Sequence, residues 1–172
     1  MRTAFLLAFG ANLVLDVILL ILLPERVATH FGPGGAADSW ESKEAAVLMM
    51  FAAQAGMLVI FLGIPAIEPW VPRSLVNLPN KDYWLRKENR PVLRAKLAAF
   101  NYEMGIAVFA LLFAIGLLWL QANLSGPVRF NPAVFILLAV ALLIYAIIRG
   151  MHFLNTFRLP GRTDRKTPAN PS

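Results

Sequence analysis

Long apolar runs separated by short polar connections dominate the chain. Four of these runs are long enough to cross a bilayer as helices, which takes about 20 residues each. They occupy residues 4–23, about 45–67, about 97–120 and 132–148. Because the apolar positions are continuous and do not alternate with polar ones, the pattern excludes a β-barrel. We therefore predict an all-α membrane protein with four transmembrane helices.

Several residues at the ends of these runs are typical of helix boundaries. Asn131 followed by Pro132 indicates a helix start, with the Asn side chain as the cap. Asp38 opens the stretch DSWE, which resembles a capping box, so we expect Asp38 to cap the second helix. Pro65 is expected to bend or end that helix near its far side. The third helix could begin as early as Pro91, outside the membrane.

The composition indicates the same class of protein. Of the 172 residues, 58% are hydrophobic and only 15% are charged, whereas soluble domains carry about a quarter charged residues. Asn12 and Asp16 interrupt the first run and no convincing cleavage site follows it, so we expect a span rather than a cleaved signal peptide. The chain has no cysteine, which excludes disulfides and thiolate metal sites.

Basic residues are distributed unevenly between the two sides of the predicted spans. The first and third connections hold three, Arg26, Lys43 and Arg129, whereas the start of the chain, the central segment 68–96 and the chain beyond residue 148 hold thirteen. Cytoplasmic connections are enriched in Lys and Arg, so both termini and the central segment are predicted to lie in the cytoplasm of a bacterium, inside its cytoplasmic (inner) membrane. Since the basic residues border spans, we expect them to contact anionic lipid headgroups rather than nucleic acid.

These assignments divide the chain into four predicted segments. They are a first transmembrane hairpin with an outer loop (1–67), a basic cytoplasmic loop (68–96), a second transmembrane hairpin (97–156) and a disordered cytoplasmic tail (157–172). Five aromatic side chains lie near the predicted membrane surfaces, as in an interfacial belt: Trp40 and Trp119 outside, and Trp70, Tyr83 and Trp84 inside.

Polar side chains within the spans form two candidate sites. Asn12 and Asp16 share a face of the first helix, and Gln54 lies at a comparable depth in the second, so we predict an intramembrane polar cluster. In it, Asp16 would be protonated if dry and could share a proton or a cation if wet. Glu103 and Arg149 lie at matching depths in the last two helices and are predicted to form an ion pair. The structural alternative for both sets is that they only fix helix packing.

The outer loop reads THFGPGGAADSW, a glycine-rich turn flanked by His30, Asp38 and Trp40. These three residues are the candidates for ligand binding, and His30 and Asp38 with a nearby glutamate would suit a transition metal. One His with one Asp is a weak metal pattern, so no metal or cofactor is predicted. The structural interpretation, which we favour, has Phe31 and Trp40 anchored at the membrane surface and Asp38 as a helix cap. Binding of a peptide is the alternative.

A second interfacial segment lies in the central loop, where NLPNKDYWLRKENRP mixes turn formers, aromatic residues and basic residues. Its candidate residues are Lys81, Asp82, Tyr83 and Trp84. We favour an interfacial role, with the two aromatic rings among headgroups and the basic side chains on anionic lipid. A docking site for another protein is the alternative.

Residues 23–43 resemble a domain found at the front of the sporulation-delaying toxin immunity protein and in many uncharacterised bacterial membrane proteins. The shared pattern is a Leu-Pro pair, a His followed by an aromatic residue, and then Gly, Asp, Trp and Lys: Leu23, Pro24, His30, Phe31, Gly35, Asp38, Trp40 and Lys43. The likeness covers about residues 10–65, and residues 76–90 resemble a second segment of the uncharacterised members. The chain lacks the further spans of the immunity protein, so the resemblance implies a family of membrane proteins more than it implies a function.

Function is constrained mainly by what the sequence lacks. It contains no nucleophile elbow, phosphate loop, HExxH motif or cysteine pair, so we expect a protein that is not an enzyme. We favour a binding, sensing or accessory component that works with another membrane protein or with a second copy of itself. The alternatives are a subunit of an ion, proton or small-molecule transporter that uses Asp16, and a membrane-embedded enzyme with an outer site at His30 and Asp38.

Overall fold

The computed structural model describes residues 1–158, apart from the side chain of Glu68. Residues 159–172 of the predicted tail lie outside the described part of the chain. The elements in chain order are α1 (Arg2–Leu22), β1 (Arg26–Phe31), β2 (Ala37–Ser42), α2 (Lys43–Ile67), two 3-10 turns (Glu68–Trp70 and Arg73–Leu75), α3 (Lys81–Trp84), α4 (Arg90–Leu124) and α5 (Pro132–Asn155). By length and composition α1, α2, α4 and α5 could each cross a membrane, which confirms the helical class and the four spans.

Three of the long helices, α1, α2 and α4, pack against one another and form the core. Small residues of α4 allow this close approach: a Cβ atom at Gly116 would lie 2.7 Å from Cδ2 of Leu15, and one at Gly105 would lie 2.5 Å from Cε2 of Phe5. Helix association in lipid depends on such close packing, because lipid tails are as apolar as the side chains themselves.

The fourth long helix, α5, lies at the periphery and packs against α4. None of its residues is buried. Its start is capped as predicted, since Oδ1 of Asn131 accepts hydrogen bonds from the N–H groups of Ala133 (3.1 Å) and Val134 (3.3 Å). Near its other end, the rings of Phe153 and Phe100 stack with centroids 4.2 Å apart.

The connection between α1 and α2 is an antiparallel β-hairpin, which the sequence analysis did not predict. Arg26 lies opposite Ser42 and Ala28 opposite Trp40. The turn requires glycine at position 35, where φ is +76° and where a Cβ atom would collide with the carbonyl oxygen of Phe130. This two-stranded hairpin covers one end of the helix bundle, which we call the hairpin end.

The start of α2 corrects one prediction. Oγ of Ser42 accepts a hydrogen bond from the N–H group of Ala45 (3.2 Å), so Ser42 caps this helix. Asp38 lies within β2 instead, and the prediction that it caps α2 is wrong. The chain continues as strand up to Ser42 because pairing with β1 satisfies the backbone groups on one edge of β2 as far as this residue.

The helix α4 extends well beyond the hydrocarbon core at one or both ends. Its 35 residues correspond to about 52 Å, against about 30 Å for the core of a bilayer. It begins at Arg90, with Pro91 in its first turn, which agrees with the early start that the sequence indicated. α2 passes through Pro65 and ends two residues later, at Ile67. We call the end of the bundle near Ile67 and Arg90 the basic end.

The sidedness inferred from the basic residues can be tested with single cysteines, because the natural chain has none. Ala36→Cys lies on the exposed hairpin turn and Lys87→Cys on an exposed stretch of the basic end. We expect a thiol reagent that does not cross membranes to label residue 36, and not residue 87, in intact cells. Both should react after the membrane is permeabilised. Labelling of residue 87 alone in intact cells would invert the assignment.

Candidate functional site

Three hydrogen bonds from the backbone of one residue, Ala28, link the hairpin to α4. Its N–H group donates to Oδ1 of Asn123 (2.7 Å), and its carbonyl oxygen accepts from Nε1 of Trp119 (2.6 Å) and Nδ2 of Asn123 (3.3 Å). Both α4 side chains are buried. Trp119 is therefore not a residue of an interfacial belt, and that prediction is wrong.

The other face of the hairpin is exposed and brings His30 and Asp38 together. Nδ1 of His30 lies 2.5 Å from Oδ1 of Asp38, and the two side chains are 71% and 50% exposed. The strand pairing skips Thr29 and Asp38, an irregularity typical of β-bulges. Because both partners are solvated, this contact contributes little to stability, which leaves the two side chains available to a ligand.

The hairpin does not assemble a metal site from the residues described. Within residues 1–158 no group of three or more His, Cys, Asp or Glu side chains could hold a metal ion. His30 and Asp38 therefore offer two ligands, fewer than the three or four protein ligands of a zinc site.

The two aromatic residues expected to anchor the outer loop differ in their surroundings. The Phe31 ring packs against Phe130, with centroids 5.2 Å apart, and against the core cluster around Trp119. Phe31 is thus half-buried against the protein, and its anchoring at the membrane surface stays a prediction. Trp40 projects from β2 and is 40% exposed. Every residue of β2 except Ala37 is exposed.

The predicted polar cluster lies inside the core formed by α1, α2 and α4. Nε2 of Gln54 donates to Oδ1 of Asp16 (3.2 Å), so these two residues meet. Asn12 bonds elsewhere, to the carbonyl oxygens of Ala8 (2.9 Å) and Phe109 (3.0 Å). Each of the three predicted residues keeps one buried oxygen without a hydrogen-bond donor in the described part of the chain. The cluster is therefore only partly satisfied.

The predicted ion pair joins α4 to α5 with bidentate geometry. Nε and Nη2 of Arg149 lie 2.6 and 2.7 Å from the two carboxylate oxygens of Glu103. The hydroxyl group of Tyr145 also donates to Glu103 (2.8 Å), a contact the sequence analysis missed. Tyr145 lies one helical turn before Arg149, so the i, i+4 spacing could have indicated it. These contacts border a cleft of about 460 Å³ between the two helices.

At the basic end, the half-buried side chain of Trp84 bonds to the last described residues of the chain. Its Nε1 donates to the carbonyl oxygen of Phe157 (3.0 Å), as does Nδ2 of Asn80 (3.0 Å). The ammonium group of Lys96 lies 4.7 Å from the centroid of the Trp84 ring. The placement of Trp84 among headgroups stays a prediction. Its neighbours Lys81, Asp82 and Tyr83 are exposed.

Comparison with known proteins gives one partial match. Residues 7–54 match a family model described as "Domain of unknown function (DUF1648)". This range covers most of α1, the hairpin and the first half of α2, and includes the stretch that carried the resemblance to the immunity protein's front domain. No curated protein and no solved structure matches the chain. The link to toxin immunity stays a prediction.

The attachment of the hairpin can be tested at Asn123. Asn123→Ala leaves the N–H group of Ala28 buried without its acceptor, and a loss of this kind costs about 1–3 kcal/mol. We expect the free energy of unfolding in detergent to fall by that amount. Gln121→Ala, an exposed position in the same turn of α4, should change it by less than about 0.5 kcal/mol. Equal stability of the two variants would contradict the role given to Asn123.

Proposed function

We propose that this protein is a non-enzymatic binding component of a bacterial membrane that recognises an extended peptide segment at the outer hairpin. One observation carries the proposal: β1 is attached to α4 along one edge, whereas β2 is exposed and has an open edge. Within the described chain, β2 pairs with β1, and next to its start Ala36 forms an isolated bridge with Arg129.

The open edge has the chemistry that an extended peptide requires. Since both backbone groups of Ala28 bind α4, Ala28 and its partner Trp40 form a pair that does not exchange hydrogen bonds. The N–H and C=O groups of Trp40 then face the open edge. An added strand gains affinity from such groups and specificity from neighbouring side chains.

The side chains beside that edge are suited to recognition. Trp40 is a large, amphipathic ring that is 40% exposed, and Trp is enriched among the residues that dominate binding energy at interfaces. His30 and Asp38 add a polar pair nearby. The hairpin is held in place before any partner arrives, so less conformational entropy is lost on binding.

Site-specific photo-crosslinking tests this proposal. A benzophenone amino acid at Ser39, exposed on β2, should give a polypeptide adduct in native membranes, and one at Leu143, exposed on α5, should not. Trp40→Ala should lower the adduct yield, and Trp40→Pro should lower it further because proline also removes the outward N–H group. Equal yields for the two variants would exclude strand addition, and no adduct at Ser39 would contradict a polypeptide partner.

A second candidate function is transport of a proton or cation through Asp16. The observation that favours it is the buried carboxylate oxygen Oδ2 of Asp16, which has no donor among the described residues. Ionisable groups this deep in a membrane protein often mark ion or proton pathways. The close packing of α4 at Gly105 and Gly116 argues against a wide path within one chain.

Flux measurements distinguish this candidate from the first. In vesicles containing the purified protein, Asp16→Asn should abolish pH-gradient-driven proton flux while keeping an acceptor for Gln54. Glu103→Gln also removes one carboxylate, but from the ion pair with Arg149, and should retain the flux. Unchanged flux in Asp16→Asn would exclude Asp16 as a carrier. That result would leave the peptide-binding proposal, which crosslinking at Ser39 tests, unchanged.

A further inference from the structure

A cavity of about 640 Å³ lies at the basic end, between the end of α2, the segment before α4, the first turns of α4 and the end of α5. This volume falls within the range of about 300–1,000 Å³ that is typical of small-molecule sites. Most of the residues around it are apolar, among them Phe61, Ile64, Leu78, Leu97, Phe153 and Phe157.

The cavity lies at the level where two of the candidate membrane-spanning helices end. It adjoins the last turns of α2 and α5, where these two apolar helices end. Spans end at the boundary between hydrocarbon and headgroups. A molecule entering sideways from the bilayer would therefore place its tail in the cavity and its polar group at the level of the helix ends.

The polar residues around the cavity favour a molecule with a negative charge. Arg94 lies in the cavity wall, with Asn77 and Asn101, and no described lining residue is acidic. Arg90 precedes Arg94 by one turn and shares its helix face. Nε of Arg90 is buried and has no hydrogen-bond acceptor among the described residues. The segment 68–96 carries seven basic and three acidic residues, so the surroundings favour an anion.

We propose that this cavity binds an anionic phospholipid of the adjoining leaflet. One acyl chain fills the apolar part, and the phosphate group lies at Arg94 and Arg90. Arginine suits this role because its planar guanidinium group donates two parallel hydrogen bonds to a phosphate. Basic pockets between transmembrane helices bind anionic headgroups on the same principle. The site is independent of the hairpin and of the function proposed for it.

Two other occupants fit the cavity less well. Residues 159–172 follow Phe157 closely in the chain, but they carry three basic residues and one acidic residue, which would bring like charge to Arg94. A zwitterionic phospholipid offers the same acyl chains but no net charge, so the basic surroundings would give it no preference.

Native mass spectrometry of the full chain, released from nanodiscs with equal amounts of phosphatidylglycerol and phosphatidylcholine, tests the proposal. Both lipids should have identical acyl chains, and the result does not depend on sidedness because both leaflets are alike. We expect one retained phosphatidylglycerol in preference to phosphatidylcholine. Arg94→Gln should reduce that preference about fivefold, the effect of one basic residue at a membrane surface. Lys87→Gln, exposed and outside the cavity wall, should leave it unchanged.

Variants that fill the cavity distinguish a lipid bound inside it from lipid that is attracted only to the basic surface. Ala98→Phe and Leu154→Trp each add volume within the cavity wall, and both should lower the retention of lipid of either type. Leu154 is 45% exposed, so its variant should fold even where the Ala98 variant does not. Equal retention of the two lipids, or equal effects of Arg94→Gln and Lys87→Gln, would overturn the proposal. Lipid retained only after removal of residues 159–172 would overturn it in favour of the tail.

Discussion

The arrangement of the hairpin end depends on the hydrogen bonds between α4 and the backbone of Ala28. A strand edge packed onto apolar helices cannot leave its N–H and C=O groups without partners, since each unsatisfied group costs about 1–3 kcal/mol. α4 supplies both partners from one turn near its end, Asn123 and Trp119. With Ala28 held there, the neighbouring Val27 completes the apolar cluster with Leu19 and Trp119.

The spans could be predicted from the sequence because a bilayer imposes length and composition on every helix that crosses it. The hairpin could not, because its two six-residue strands are short and mostly polar, and a glycine-rich stretch between helices is more typical of a loop. Trp119 was misassigned for a related reason. An indole N–H group binds a headgroup or a backbone carbonyl equally well, and the choice depends on tertiary packing.

The polar contacts between the helices also divide into those that could be predicted from the sequence and those that could not. Depth along antiparallel helices was enough to bring Asp16 to Gln54 and Glu103 to Arg149, because both pairs involve two neighbouring helices. Asn12 bonds to α4 instead, and the position of a third helix does not follow from the periodicity of the first two. An Asn within an apolar helix bonds to whichever backbone carbonyl its packing brings near.

The two ends of the bundle differ in the chemistry of the surface they present. At the hairpin end the open groups are backbone donors and acceptors beside Trp40, which suit an extended polypeptide. At the basic end, apolar side chains and Arg94 line a cavity that suits an anionic amphiphile. The centre between them is filled, with Phe5 and Phe109 fully buried. Two helices reach both ends: α4 contacts the hairpin through Asn123 and the cavity through Leu97, and α2 follows directly from β2 and lines the cavity with Phe61. Any coupling between the two ends would therefore act through the relative position of α2 and α4.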